Sequence, residues 1–143
     1  MNVFLVIDLG TSGLKVSAVH EDGVVVAEAE AAYQVEHPLP GHAEIDPQAW
    51  TQALQQALGQ LSRIRFRSLA IAGQMHGLVL VDAEGAPCRP AVLWPDRRAE
   101  TQLPAWRALS ADQRTRLANP LTPSMAGHIL GGIQQHSPGT LQA

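Results

Sequence analysis

The sequence predicts a mixed α/β domain, built on a sheet that contains both antiparallel and parallel strands. Three observations favour this fold: three short strand-like segments open the chain, an amphipathic helix follows them, and a further apolar segment follows the helix. Closely spaced strands pair as antiparallel neighbours, whereas a strand that returns after a helix pairs in parallel. The strict alternation of strand and helix typical of a dinucleotide-binding fold is not present in this order.

The opening of the chain predicts three strands, over residues 3–8, 14–20 and 24–32. The first of these, VFLVID, is a continuous apolar run that ends in an acid, which is typical of a buried strand. Residues 10–13 (GTSG) predict a turn, and the Asp-Gly pair at 22–23 is a strong hairpin signal. These strands therefore form an antiparallel meander.

A helix is predicted to begin at Asp46-Pro47, with aspartate as the N-cap and proline as the first helical residue, and to end near Leu61. Apolar residues spaced by four, four and three positions form one face of this helix: Trp50, Leu54, Leu58 and Leu61. Residues 68–73 (SLAIAG) predict a short buried strand. Because it follows a helix, we expect it to lie parallel to the first strand.

The second half of the chain predicts one more hairpin and then helices. Residues 78–82 and 91–94 flank an Ala-Glu-Gly turn and form the hairpin. From Asp96 onward the pattern is helical, with Pro104 interrupting the first helix. A last, weak helix is expected over residues 125–136.

Composition and charge exclude several classes of function. The net charge is −3, so the chain lacks the basic surplus of a nucleic-acid-binding protein. The single cysteine, Cys88, cannot form an internal disulfide, which is typical of a reducing compartment. No segment approaches the roughly 20 apolar residues of a membrane-spanning helix, and the N-terminus lacks a signal-peptide pattern. We therefore expect a cytoplasmic protein that binds neither nucleic acid nor membrane.

The strongest functional candidate is the segment DLGTSGLK, which begins at Asp8. Gly10 and Gly13 let the backbone bend tightly and approach a ligand closely. The N–H groups of such a turn, with the hydroxyls of Thr11 and Ser12, suit phosphate oxygens. Since the Asp8 carboxylate would repel phosphate, the pattern predicts Mg²⁺ between them, held by Asp8 directly or through water. The alternative is a plain hairpin turn in which Asp8 accepts hydrogen bonds from loop amides.

Four segments of the chain carry a resemblance to a known family. Residues 7–17 (IDLGTSGLKVS) resemble the first phosphate segment of the actin-like ATPase superfamily, and within it the FGGY carbohydrate kinases. Residues 44–50 (EIDPQAW) are similar to the family's E-x-D-P-x-x-W helix start, and residues 71–77 (IAGQMHG) to the GQMHG segment of xylulokinases. Residues 89–98 (RPAVLWPDRR) resemble the segment that follows, which often has Asn where this chain has Pro95.

The resemblance implies a mixed α/β sheet of the ribonuclease H-like, actin-like ATPase type. Residues 1–143 then form part of the N-terminal domain, with residues 1–98 well matched and residues 99–143 helical and more weakly matched. It also implies a kinase that uses ATP and Mg²⁺ to phosphorylate a small sugar. The expected reaction is the conversion of D-xylulose to xylulose 5-phosphate. The family's catalytic base and adenosine-binding domain lie beyond residue 143, so we expect the isolated chain to be inactive.

The same resemblance assigns candidate roles to individual residues. Cofactor binding falls to Asp8, which is also the metal ligand, and to Gly10, Thr11, Ser12 and Gly13. Sugar binding falls to Met75, His76, Trp94, Asp96 and Arg98. Plainer roles stay open beside these: a core methionine, a loop histidine, a helix N-cap for the aspartate and an exposed arginine in the following turn. Lys15 is expected at the sheet surface, and none of the other histidines is expected to bind metal.

Two other functions stay open at this point. The first alternative is that the chain is part of a kinase of the same family that acts on a different sugar or polyol. The second is that it is a non-catalytic actin-like remnant that acts as an interaction module. An incomplete fold leaves an open sheet edge and exposed apolar surface, so we predict self-association into a homo-oligomer or aggregate.

Overall fold

The structure is a computed structural model, and it describes residues 2–137 and 139. The described elements are, in chain order, β1 (Val3–Leu9), β2 (Gly13–His20), β3 (Val25–Ala32), β4 (Glu44–Ile45), α1 (Pro47–Gln60), β5 (Ser68–Gly73), β6 (Ala91–Val92), a 3₁₀ helix (Arg98–Gln102), α2 (Leu103–Arg107), α3 (Ala111–Leu117) and α4 (Ala126–His136). They form two compact units. Unit 1 comprises Met1–Val35 and Asp46–Met75, and unit 2 comprises Glu36–Ile45 and His76–Ala143.

Unit 1 is built on a four-stranded mixed sheet with the strand order β3-β2-β1-β5. β1 is antiparallel to β2, and the register places Asp8 opposite Lys15. β1 is parallel to β5, with Leu9 opposite Gly73, and β2 is antiparallel to β3. The predicted meander and the predicted parallel strand after the helix are both confirmed.

Helix α1 covers one face of this sheet. Its predicted start is confirmed, because the Asp46 side chain accepts a hydrogen bond from the backbone N–H of Gln48 at 2.9 Å and Pro47 opens the helix. The fully buried helix residues are Ala53 and Ala57, which lie in one core with the inward-facing residues of β1, β2 and β3. Small side chains let the helix approach the sheet closely. Of the predicted leucines, Leu61 is buried in the same core, and Leu54 and Leu58 are partly buried against it.

The prediction that β1 and β5 are buried strands is wrong within the described residues. β1 alternates, with Leu5 and Ile7 buried and Asp8 exposed. Every residue of β5 is exposed, including Leu69 at 52% and Ile71 at 66%. The reason is position: β5 is the last strand of the sheet, and α1 packs against β2 and β3.

Unit 2 contains a two-stranded antiparallel sheet of β4 and β6. The hairpin predicted from residues 78–82 and 91–94 is shorter than expected, so this prediction is only partly right. Leu78 pairs with Val92 and Val81 with Pro87 through isolated bridges, and only Ala91–Val92 is a regular strand. Prolines at 87 and 90 cannot donate to a strand ladder, so the returning arm does not pair continuously.

The helices of unit 2 follow the predicted order. Pro104 lies in the first turn of α2, directly after the 3₁₀ helix ends, so the predicted interruption at this residue is confirmed. α4 coincides with the last predicted helix and packs Ile129 and Ile133 against Val92 and Ala99. Among the described residues, no helix has both the length and the apolar character needed to cross a membrane.

Candidate phosphate and sugar sites

The turn between β1 and β2 in unit 1 is held by residues that follow β3 and β5. Tyr33 Oη donates a 2.6 Å hydrogen bond to the Gly10 carbonyl and lies 3.0 Å from the Gly13 carbonyl. The Tyr33 backbone N–H donates to the Ser12 carbonyl at 3.2 Å, and Gln74 Nε2 donates to the Gly10 carbonyl at 3.3 Å. The carbonyl groups of Gly10, Ser12 and Gly13 are therefore directed toward protein donors.

Both glycines of this turn lie close to neighbouring backbone atoms. A Cβ added at Gly10 would lie 3.0 Å from the Gly13 carbonyl oxygen, and one at Gly13 would lie 3.3 Å from the Ala31 carbonyl oxygen. The Gly10 N–H also donates to the Gly13 carbonyl at 3.0 Å, which closes the turn. A side chain at either position would push these backbone atoms apart.

Asp8 lies exposed near the carboxyl end of β1 and lines a cavity of about 330 Å³ together with Ser12, Gly13, Lys15 and Glu30. Lys15 Nζ forms a 2.7 Å ion pair with Glu30 at the sheet surface, as expected for this lysine. This hydrogen bond and the charge of Glu30 raise the pKa of Lys15. The structure thus brings three of the predicted cofactor residues to one cavity, and the other two belong to the same turn.

The donor set at this cavity suits Mg²⁺ that is shared with a ligand. Mg²⁺ in proteins keeps several waters and is held by one or two carboxylates together with substrate phosphates. The exposed Asp8 carboxylate supplies one such ligand. No group of three or more acidic, histidine or cysteine side chains among the described residues forms a complete metal cage. The geometry therefore fits an ion completed by phosphate and water.

Met75 and His76 follow the carboxyl end of β5. Met75 is 72% exposed, so the alternative of a core methionine does not hold for the described structure. His76 is also exposed and has a left-handed backbone with φ of 62°. Such a conformation is uncommon for a non-glycine residue and often marks a functional position.

Asp96 in unit 2 is buried, with 1% of its surface exposed. Its Oδ1 accepts hydrogen bonds from Arg98 N at 2.9 Å and Arg98 Nε at 2.8 Å. Its Oδ2 accepts from Ala43 N and from Arg98 Nη2, both at 2.7 Å. The carboxylate is therefore fully occupied by protein donors. It is not the N-cap of the 3₁₀ helix, a position taken by Arg97, although it bonds the first helical N–H.

Asp96 belongs to a network of four charges, in which the two acids are buried and the two arginines are partly buried. Arg98 Nη2 lies 2.6 Å from Glu44 Oε1, and Arg89 pairs with the same carboxylate oxygen. Burial alone would raise the pKa of Asp96, but the hydrogen bonds from Arg98 and Ala43 outweigh it and lower that pKa. Burial likewise opposes the charge on Arg98, yet Asp96 and Glu44 raise its pKa overall. The network ties β4 to the segment that carries Trp94.

A second cavity in unit 2, of about 290 Å³, contains His76 in its lining. The lining of this cavity also includes Trp106, Asn119, Met125 and His128. His128 is 3% exposed, its ring centroid lies 4.4 Å from that of Trp106, and neither ring nitrogen has a hydrogen-bond partner in the described structure. Burial lowers the pKa of His128, so the ring is neutral near pH 7.

Sequence reasoning did not identify several residues that shape these sites. Tyr33 and Gln74 hold the turn, Glu44 and Arg89 complete the charge network, and His128 lines the cavity with His76. The available signal for Tyr33 was a lone tyrosine after a strand rich in alanine and glutamate. The ion pair between Glu44 and Arg98 joins residues far apart in the chain, so no local sequence pattern predicts it.

Comparisons with known proteins agree on the family. The profile of the FGGY family of carbohydrate kinases, N-terminal domain, matches residues 3–143. The chain is 37% identical over 140 residues to the xylulose kinase of Escherichia coli (strain K12), which covers 95% of this chain and 29% of that protein. It is 38% identical over 138 residues to the apulose kinase of Pectobacterium atrosepticum, covering 90% of this chain and 28% of that protein.

Solved structures show the same fold. A xylulose kinase from Rhodospirillum rubrum superimposes with a TM-score of 0.92 at 26% identity, covering 99% of this chain and 31% of that chain. The actin-like ATPase fold expected from the resemblance is thereby confirmed. This chain spans less than a third of the length of the relatives it matches. It belongs to the FGGY family of carbohydrate kinases, whose N-terminal domain its residues 3–143 match.

Proposed function

We propose that this chain is the first part of an ATP-dependent kinase that phosphorylates D-xylulose to xylulose 5-phosphate. The observation that carries the proposal is the pairing of two features in unit 1. The phosphate-type turn follows β1, and Met75 follows β5, which is the parallel neighbour of β1. Open α/β sheets bind ligands at the carboxyl ends of neighbouring parallel strands.

The phosphate turn supplies binding and charge neutralisation in this proposal. Backbone N–H groups and the hydroxyls of Thr11 and Ser12 hold phosphate oxygens of ATP. Asp8 holds Mg²⁺, directly or through water, and the ion when bound neutralises charge that develops on the transferred phosphate. Gly10 and Gly13 let the backbone approach the phosphates without a side chain between them.

The sugar is held by a second set of residues. Met75 packs on the carbon face of the sugar, and the imidazole of His76 exchanges a hydrogen bond with one hydroxyl. The family resemblance assigns Trp94, Asp96 and Arg98 to sugar binding as well. Because both oxygens of Asp96 already accept two hydrogen bonds each, we expect this residue to act mainly by fixing Arg98 and the backbone before Trp94.

We expect the isolated chain to be inactive because it contains no suitable base for the sugar hydroxyl. The acids after residue 98 are Glu100 and Asp112. Glu100 pairs with Arg97, and Asp112 pairs with Arg116 at 3.0 Å on the exposed side of α3. Both carboxylates are exposed and already paired with an arginine, so neither is placed to take the proton of a sugar hydroxyl. We place the working enzyme in the cytoplasm, where ATP is available and Cys88 stays reduced.

The test is a chimera in which this chain replaces the matching part of the Escherichia coli xylulose kinase. ADP formation is measured with ATP, Mg²⁺ and D-xylulose, for the chimera, for its His76→Ala variant and for a His37→Ala control. His37 is an exposed loop histidine whose ring contacts the His42 carbonyl. We expect xylulose-dependent turnover, lost in His76→Ala and kept in His37→Ala. Turnover by the isolated chain would refute its inactivity.

A second candidate is a kinase of a different sugar, favoured by the identity to the apulose kinase, which is as high as that to the xylulose kinase. The chimera separates the two candidates when it is given D-xylulose, apulose and glycerol in parallel. A higher kcat/KM for apulose or glycerol than for D-xylulose would overturn the xylulose assignment. Equal failure with all three would favour a non-catalytic interaction module.

A further inference from the structure

We infer that Tyr33 is a positioning residue for the phosphate turn: its contacts hold the carbonyl groups of Gly10, Ser12 and Gly13, so that the turn presents N–H groups to a phosphate. The inference rests on the proposed function, since it assumes that this turn binds phosphate. It adds a residue that the motif itself does not contain.

Three contacts from one residue carry the inference. The Tyr33 hydroxyl lies 2.6 Å from the Gly10 carbonyl oxygen and 3.0 Å from that of Gly13, and the Tyr33 N–H donates to Ser12 at 3.2 Å. In a planar trans peptide, the C=O and the following N–H point in opposite directions. With the Gly10 and Ser12 carbonyls turned toward Tyr33, the N–H groups of Thr11 and Gly13 point to the opposite side.

This orientation matters because carbonyl oxygens repel phosphate whereas N–H groups attract it. A backbone ladder alone would fix Ser12, since the Tyr33 N–H extends the pairing of β2 with β3. The phenol hydroxyl adds control of Gly10 and Gly13, and Gln74 supplies a weaker second donor to Gly10 at 3.3 Å. Burial raises the pKa of Tyr33, with a smaller contribution from the charge of Asp8, so the hydroxyl remains a donor.

The first test uses the ¹⁵N-labelled 143-residue chain, titrated with sodium tripolyphosphate in the presence of MgCl₂. Tyr33→Phe removes only the hydroxyl. Ser17→Ala is the matched control, because it removes another side-chain hydrogen bond of the same sheet, from Ser17 Oγ to Glu28 at 2.7 Å. We expect amide shifts at residues 10–13 in the parent chain, binding weakened about fivefold in Tyr33→Phe, and unchanged binding in Ser17→Ala.

A second test asks whether binding follows the protonation of the phenol. Tyr33 is the only tyrosine in the chain, so growth on 3-fluorotyrosine replaces this residue alone with a more acidic phenol. Calorimetric binding of tripolyphosphate between about pH 7 and pH 10 should be lost at a lower pH in the fluorinated chain. Circular dichroism at each pH establishes that both chains stay folded, and the fluorinated chain also serves if Tyr33→Phe does not fold.

The possible results distinguish the role of Tyr33 from phosphate binding by the turn itself. Absence of tripolyphosphate binding by the parent chain overturns the phosphate assignment, and the inference falls with it. Binding by the parent that Tyr33→Phe matches within experimental error overturns the inference alone. A pH profile that does not move in the fluorinated chain also overturns it, since a merely structural tyrosine would behave in this way.

Discussion

Replacing Asp96 with asparagine tests whether the buried charge network holds unit 2 together. The change keeps the size of the side chain but removes its charge, while Arg98 and Arg89 stay positive and only Glu44 is left to balance them. Asparagine offers one acceptor oxygen, whereas its NH₂ group is a donor. One side of the amide must therefore face donors that now contact a carboxylate.

The structure sets the expected size of the effect. The Asp96 carboxylate accepts four hydrogen bonds of 2.7–2.9 Å, three of them from Arg98 and one from Ala43. Asparagine can keep about half of these, and hydrogen bonds to charged groups are worth about 1.5–3 kcal/mol each. The loss of two gives a destabilisation of about 3–6 kcal/mol, which agrees with the usual effect of breaking a buried ion pair. This is a large part of the stability of an ordinary domain.

The assay is urea unfolding, followed by tryptophan fluorescence, for the parent, for Asp96→Asn and for Asp112→Asn. Two of the three tryptophans, Trp94 and Trp106, lie in unit 2, so the signal reports on that unit. Asp112 belongs to an exposed pair with Arg116, and its loss should cost less than about 1 kcal/mol. Equal midpoints for Asp96→Asn and Asp112→Asn would refute the reasoning.

Three further outcomes follow from the described geometry. Gly10→Ala should lower the free energy of unfolding in urea by about 1–3 kcal/mol and weaken tripolyphosphate binding, because its Cβ meets the Gly13 carbonyl. Gly59→Ala in α1 has open space around its Cβ and should raise that free energy by about 0.5–1 kcal/mol. A more stable Gly10→Ala than Gly59→Ala would contradict this account. Burial lowers the pKa of His128 in the folded chain. The stabilisation from a neutral His128 should therefore be fully present above the unfolded-state pKa of about 6.5 and be lost as the pH falls below it. His128→Phe should reduce this loss of melting temperature at low pH, and an unchanged dependence of melting temperature on pH would contradict the prediction. Ile71→Lys, on the exposed edge strand, should shift the chain toward monomer in analytical ultracentrifugation, and a parent chain that already sediments as a monomer would refute the predicted self-association.

Local signals explain which elements the sequence predicts well. The Asp-Gly turn at 22–23 and the Asp46-Pro47 helix start are determined by neighbouring residues, and both lie where the sequence places them. The burial of β5 depends on what covers the strand, which no local pattern encodes. Its continuous apolar run is typical of a strand covered on both faces. Within the described residues it is an exposed edge instead.

The candidate sites divide in the same way. A glycine-rich turn after a strand is a local feature, so Asp8 and the turn residues can be found from sequence. The donors that orient the turn, Tyr33 and Gln74, reach it only through strand pairing. Asp96 is recognisable as an aspartate before a helix, but the charge network that it shares with Arg98 also includes Glu44 of β4, which lies 52 positions earlier.

The supports of the two proposed binding sites can be separated by mutation. The contacts described for the phosphate turn come from Tyr33 and Gln74, which both belong to unit 1. The contacts that fix Asp96 come from Ala43 and Arg98, which belong to unit 2. In the kinase chimera, Tyr33→Phe should therefore raise the KM for ATP more than the KM for D-xylulose. Asp96→Asn should raise the KM for D-xylulose more than the KM for ATP. Equal changes in both KM values for either variant would show that these supports do not act on separate ligands.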